Sequence, residues 1–68
     1  MDQLLTVDEA AERLRTSPRF VRRLIEERRI TYVKLGAHVR IESAELSAFV
    51  AAGRVTPTIR VHQLGRAA

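Results

Sequence analysis

The sequence predicts a mainly α domain with a small β-hairpin: three short helices and two strands. Three observations carry this expectation. Two amphipathic segments, over 7–14 and from 18 to about 27, are joined by only three residues. A β-branched and apolar run over 30–41 is interrupted by Gly36-Ala37. A third helical pattern over 45–52 follows Ser43.

The first helix is expected over 7–14. Thr6 followed by Glu9 has the spacing of a capping box, in which each side chain bonds the other's backbone N–H. Val7, Ala10, Ala11 and Leu14 form an apolar stripe, and Asp8, Glu9 and Glu12 face outward. Ala10 and Ala11 are small enough to let a second helix approach closely.

Arg15, Thr16 and Ser17 form the connection. Ser17 suits the N-cap of the second helix. Pro18 then falls at its first position, where a fixed φ helps and a missing N–H costs nothing. At about 100° per residue, Phe20, Val21, Leu24 and Ile25 share one side, and Arg19, Arg22 and Arg23 cluster on the other. These arginines lie near a helix N-terminus, whose dipole favours acids. Their acidic neighbours, Glu26 and Glu27, stand toward the opposite end. The face is thus poorly explained by helix stability alone.

Ile30, Tyr32, Val33 and Leu35 are expected to form one strand and Val39 and Ile41 a second, with Gly36 supplying the positive φ of a tight turn. A two-stranded hairpin is marginal by itself, so it must lean on the helices. Ser43 is expected to cap the third helix, with Leu46, Phe49 and Val50 inward and Gly53 as a left-handed C-terminal cap. These three residues and Phe20 are expected to make up most of the core. Residues 1–53 are read as the folded domain and 54–68 as an extended tail. Pro57 stops any helix there, and Ile59 and Val61 alternate with polar residues, as in a strand able to mediate self-association.

The charge is unevenly distributed. Residues 1–12 hold four acids and no base, residues 13–40 nine bases and two acids, and residues 41–68 three bases and two acids. Eleven of the twelve basic residues are arginine, the side chain suited to bidentate contact with phosphate and guanine. Two short helices, a tight turn, a basic outer face on the second helix and a basic hairpin behind it make a winged helix-turn-helix pattern.

Other classes fit poorly. With no cysteine, neither a disulfide framework nor a thiolate metal site is expected. No cofactor or metal is expected. The two histidines, His38 and His62, have no companion acid in an evident pattern, and no glycine-rich phosphate loop occurs, so no enzyme is expected. No apolar run approaches the ~20 residues of a membrane span, and the N-terminus is not read as a signal peptide.

Five motifs, Thr6-Val7-Asp8-Glu9-Ala10-Ala11, Thr16-Ser17, Arg22-Arg23-Leu24-Ile25, Val33-Lys34-Leu35-Gly36 and Arg40-Ile41 before Ser43, resemble the excisionase family of small winged helix-turn-helix proteins. They are also similar to the DNA-binding domain of MerR-type regulators. The resemblance covers about residues 4–52. It implies a cytoplasmic accessory factor of a bacterial host, which binds double-stranded DNA at repeated sites in a phage attachment-site arm, cooperatively with copies of itself. Such a factor bends the DNA for a tyrosine integrase and favours excision. A small transcriptional repressor of the same fold and a pure protein-interaction module are the alternatives.

By analogy, the second helix enters the major groove with Arg19, Arg22 and Arg23, and Arg15, Thr16 and Ser17 meet phosphates. The wing, through Lys34, His38 and Arg40, meets the minor groove. Arg28 and Arg29 are expected to flank the site. Relatives often carry glycine where Arg28 stands, and two basic residues where this chain has Ala37 and His38.

Overall fold

The computed structural model describes residues 3–57. The element order is β1 (Leu4–Leu5), α1 (Val7–Leu14), α2 (Pro18–Glu26), β2 (Val33–Leu35), β3 (His38–Glu42) and α3 (Ser43–Ala52). Three helices and a small antiparallel sheet give the winged helix-turn-helix architecture expected from the sequence.

The caps at the front of the domain follow the sequence closely. Glu9 N–H donates to Thr6 Oγ1 at 3.1 Å, and Thr6 N–H donates to Glu9 Oε1 at 2.9 Å, closing the capping box. Phe20 N–H donates to Ser17 Oγ at 3.2 Å, with Pro18 in the first turn of α2. No acidic residue stands in that turn, so the dipole there is opposed by Arg19 alone in charge.

Both α1 and α2 end in the same device. Arg15 and Arg28 each adopt the left-handed conformation, with φ 57. After α1, Thr16 N–H donates to Ala11 O at 2.9 Å and Arg15 N–H to Glu12 O at 3.1 Å. After α2, Arg29 N–H donates to Leu24 O at 2.8 Å and Arg28 N–H to Ile25 O at 3.1 Å. These are two Schellman motifs, which satisfy the last free carbonyls. An arginine in this conformation costs about 1 kcal/mol relative to glycine.

The sheet has the order β1-β3-β2. The expected hairpin is present, with Leu35 opposite His38 and Gly36 at φ 62 in the two-residue turn. Its first strand starts at Val33; Ile30 and Tyr32 precede it, because the Schellman turn redirects the chain and Ile30 is buried beneath it. The strand not foreseen is β1, where Leu4 pairs with Glu42 and Leu5 with Ile41. Leu5 points inward and Leu4 outward, as the pleat requires.

The core draws one or two residues from each part: Leu5, Ala10, Ala11, Val21, Leu24, Ile30, Ile41 and Leu46. Val7, Leu14, Ile25, Tyr32 and Phe49 pack around it. Ala10 and Ala11 bring α1 and α2 together, as their size suggested.

Several expectations are corrected. Phe20 is not a core residue; it is 39% exposed, because α2 packs on α1 through Val21 and Leu24 and leaves the first turn uncovered. Val50 is exposed as well, since α3 rests on β3 along a narrow stripe led by Leu46. Ser43 does not cap α3. Glu42 occupies the cap position without a side-chain bond. Ser43 Oγ instead accepts from Gln3 N–H at 3.3 Å, and Ser43 N–H donates to Gln3 O at 2.8 Å, which ties β1 to the start of α3. Gly53 has φ −89 rather than a left-handed angle, and its N–H is shared between Phe49 O and Val50 O at 3.1 Å each.

These placements predict unequal costs for two large-to-small substitutions. Leu24→Ala should lower stability by about 2–4 kcal/mol and Phe20→Ala by less than about 1 kcal/mol, measured by urea unfolding. A loss at Phe20 equal to that at Leu24 would contradict the exposed placement.

Candidate nucleic-acid interface

The helix-turn-helix unit places most of the expected residues on two adjoining surfaces. The first runs along the outer face of α2, where Arg19, Arg22, Arg23 and Glu26 line one concavity. The 3.6-residue repeat accounts for this grouping: positions 19, 22, 23 and 26 fall within one stripe, opposite Val21 and Leu24.

The second surface is a groove between α2 and the wing tip. It is lined by Arg22, Ile25 and Glu26 of α2, by Ala37, His38, Val39 and Arg40 of the wing, and by Thr6, Val7 and Asp8 at the start of α1. Arg22 and Glu26 belong to both surfaces, so the arginine face of α2 continues into the wing without a break. Asp8 and Glu26 are the acids within this groove and limit its net positive charge.

The turn before α2 carries Arg15, Thr16 and Ser17, all exposed. Ser17 Oγ accepts the Phe20 N–H, which leaves its hydroxyl hydrogen free to donate outward. A hydroxyl so placed can donate to an anion at the start of α2.

The wing residues divide. Val33 pairs with Arg40, Lys34 with Val39 and Leu35 with His38. Directly opposed residues share a face, and successive residues alternate. His38 and Arg40 therefore stand on one face of the ribbon and Lys34 on the other. Lys34 lines a separate concavity with Arg28 and Arg29 rather than joining the groove of Arg22. Arg40 is not extended at the tip: its Nη1 donates to Val39 O at 2.8 Å, along the wing stem. Ile59 and Val61, expected to mediate self-association, lie outside the described residues.

Ion pairing leaves this charge largely uncompensated. Among the described residues the one salt bridge is Arg29 Nη1 to Glu27 Oε1 at 3.5 Å, between two exposed side chains. Arg19, Arg22 and Arg23 have no carboxylate within salt-bridge distance among those residues. Side chains in this state are ready to meet an external anion without first breaking an internal pair.

The sequence reading missed the sharing of Arg22 between surfaces and the grouping of Lys34 with Arg28 and Arg29. The first depends on how closely the wing folds back on α2, which no local spacing reveals. The second was foreshadowed by strand alternation, which separates Lys34 from His38 and Arg40.

Because Arg22 lines both surfaces, Arg22→Ala should weaken DNA binding more than Arg19→Ala or Arg23→Ala, by about 1–3 kcal/mol. Fluorescence anisotropy of a labelled duplex measures this ranking. Equal losses at all three positions would show that the shared position has no special weight.

No curated protein and no solved structure matches the chain. A family model described as a helix-turn-helix domain matches residues 4–54, spanning every helix and strand of the described structure. With three quarters of its length matched, its connection of three residues between α1 and α2, and its cationic α2, this chain belongs to the helix-turn-helix domain family, whose members bind DNA.

Proposed function

We propose that the protein is an excisionase-type factor: a sequence-specific, cooperative DNA-binding and DNA-bending protein that directs a phage tyrosine integrase toward excision and catalyses nothing itself. The observation that supports this most is the arginine face of α2, Arg19, Arg22 and Arg23, which continues through Arg22 into the groove that His38 and Arg40 of the wing also line. A helix and a wing joined in this way suit a major groove and the adjacent minor groove together. The likeness of residues 4–52 to excisionases supplies the recombination role, the integrase partner and the setting inside a bacterial host cell. No helix among the described residues is long and apolar enough to cross a membrane.

In this reading Arg19, Arg22 and Arg23 face base edges and phosphates of the major groove. Arg15, Thr16 and Ser17 hold the backbone at its border, and His38 and Arg40 reach the minor groove. Copies of the protein bind side by side on repeated sites. A transcriptional regulator of the same fold fits the helix-turn-helix domain equally well, and the two differ in what they do to DNA shape and in how many copies assemble.

A gel-shift titration on phage attachment-site DNA, with the site permuted along the fragment, separates these readings. The excisionase reading expects a ladder of shifted species and a mobility that depends on site position. A single complex of constant mobility would indicate a repressor. Arg22→Ala combined with Arg23→Ala should reduce affinity at least about tenfold and make its salt dependence shallower. Affinity insensitive to salt and to both substitutions would indicate a protein-interaction module instead.

A further inference from the structure

The described residues hold a third cationic surface, apart from the two on which the proposed function rests. Arg28, Arg29 and Lys34 line one concavity with Ile30, Thr31 and Tyr32. It shares no residue with the concavity along α2 or with the groove between α2 and the wing tip. Its three cations come from two places, the turn that closes α2 and the face of β2 opposite Val33 and Leu35. Among the described residues the one salt bridge that touches it is Arg29 to Glu27, at 3.5 Å and solvent-exposed, so it contributes little to holding the cluster. Thr31 and Tyr32 add hydroxyl donors.

The backbone supplies an independent observation. Arg28 takes the left-handed conformation at φ 57, where glycine would be unstrained. Strain of this kind, held at a charged residue, points to use of the side chain. Arg15, which ends α1 three residues before α2 begins, does the same, also at φ 57. The helix between them has nine residues and so rises about 13.5 Å. The major groove of B-DNA is about 12 Å wide. A helix of that length, with one strained arginine beyond each end, is comparable to the width of that groove.

We propose that Arg28, Arg29 and Lys34 form a second phosphate site, which takes a backbone phosphodiester at the border of the groove opposite the one met by the Arg15 turn. The inference rests on the reading that α2 enters a major groove. Two guanidinium forks and one ammonium suit a phosphodiester, since arginine can bind two of its oxygens at once and lysine acts as a point charge. The same chemistry could come from the duplex that α2 reads or from a second duplex lying alongside, and the first is the source proposed.

The test uses the full chain and a duplex bearing a site selected from a random-sequence pool. Arg28→Gly should raise the thermal midpoint, because the left-handed strain is removed, and at the same time weaken binding. Loss of one phosphate contact near 0.1 M salt corresponds to roughly a five- to tenfold weaker affinity and a salt slope shallower by about 0.9. Lys34→Gln should weaken binding in the same direction without altering the backbone. Methylphosphonate linkages, introduced one at a time, should then map the contact. The wild type should lose affinity at phosphates on both strands. Arg28→Gly should be insensitive on one strand, and Arg15→Gly on the other.

Wild-type affinity in both Arg28→Gly and Lys34→Gln would overturn the proposal. So would losses confined to the bridging of two duplexes, or to the binding of an acidic protein, with single-duplex affinity intact. Sensitive phosphates for Arg15 and Arg28 on the same border would overturn it as well. If Arg22→Ala with Arg23→Ala leaves DNA affinity intact, the major-groove reading of α2 itself fails, which is a distinguishable result.

Discussion

Strand β3 is the member on which the rest of this small domain depends. Its last two residues pair with β1, its first three with β2, and α3 starts at the residue that follows it. Ile41, at its centre of pairing, is fully buried. The hairpin of β2 and β3 has too few strands to persist by itself in water. Pairing with Leu4-Leu5, and the exchange of bonds between Gln3 and Ser43, fix its base. A fixed base holds the tip across a groove from α2, and only then do His38 and Arg40 share that groove with Arg22.

The helical half is held by proximity rather than bulk. Ala10 and Ala11 are buried against α2, where Val21 and Leu24 fill the seam. Such a core stabilises a short chain only modestly. Against that modest reserve the chain carries Arg19 in the first turn of α2, where the dipole disfavours it, and two more arginines in left-handed conformations. Each feature costs folding energy locally, and glycine would close the same two turns without the left-handed strain. Each places a guanidinium on the surface around α2. Local costs gathered around α2 accord with the DNA-binding surface proposed above.

Local rules made much of this legible. The capping box at Thr6 and Glu9, the Ser17-Pro18 start of α2 and the Gly36 turn are read from a few neighbouring residues, and each forms as expected. The arginine stripe of α2 follows from helical periodicity alone. The misreadings concern residues whose fate is decided at a distance. Phe20 and Val50 have core-like spacing, yet no element covers them fully. Ser43 has the chemistry of a cap, but its hydroxyl is taken by Gln3, forty positions earlier.

The sequence by itself determined the helices, the turns and the sign of the surface, because caps, periodicity and charge act over a few residues. Tertiary structure alone decided the third strand, the membership of the core and the division of the cations among three surfaces. Those features depend on which segments meet after the chain closes on itself. A two-residue strand such as β1 has no periodicity to announce it, and becomes a strand only because β3 offers unpaired backbone groups beside it. Lys34 and Arg40 look alike in the sequence, six positions apart; the pleat of the wing sends one toward Arg28 and Arg29 and leaves the other beside Arg22.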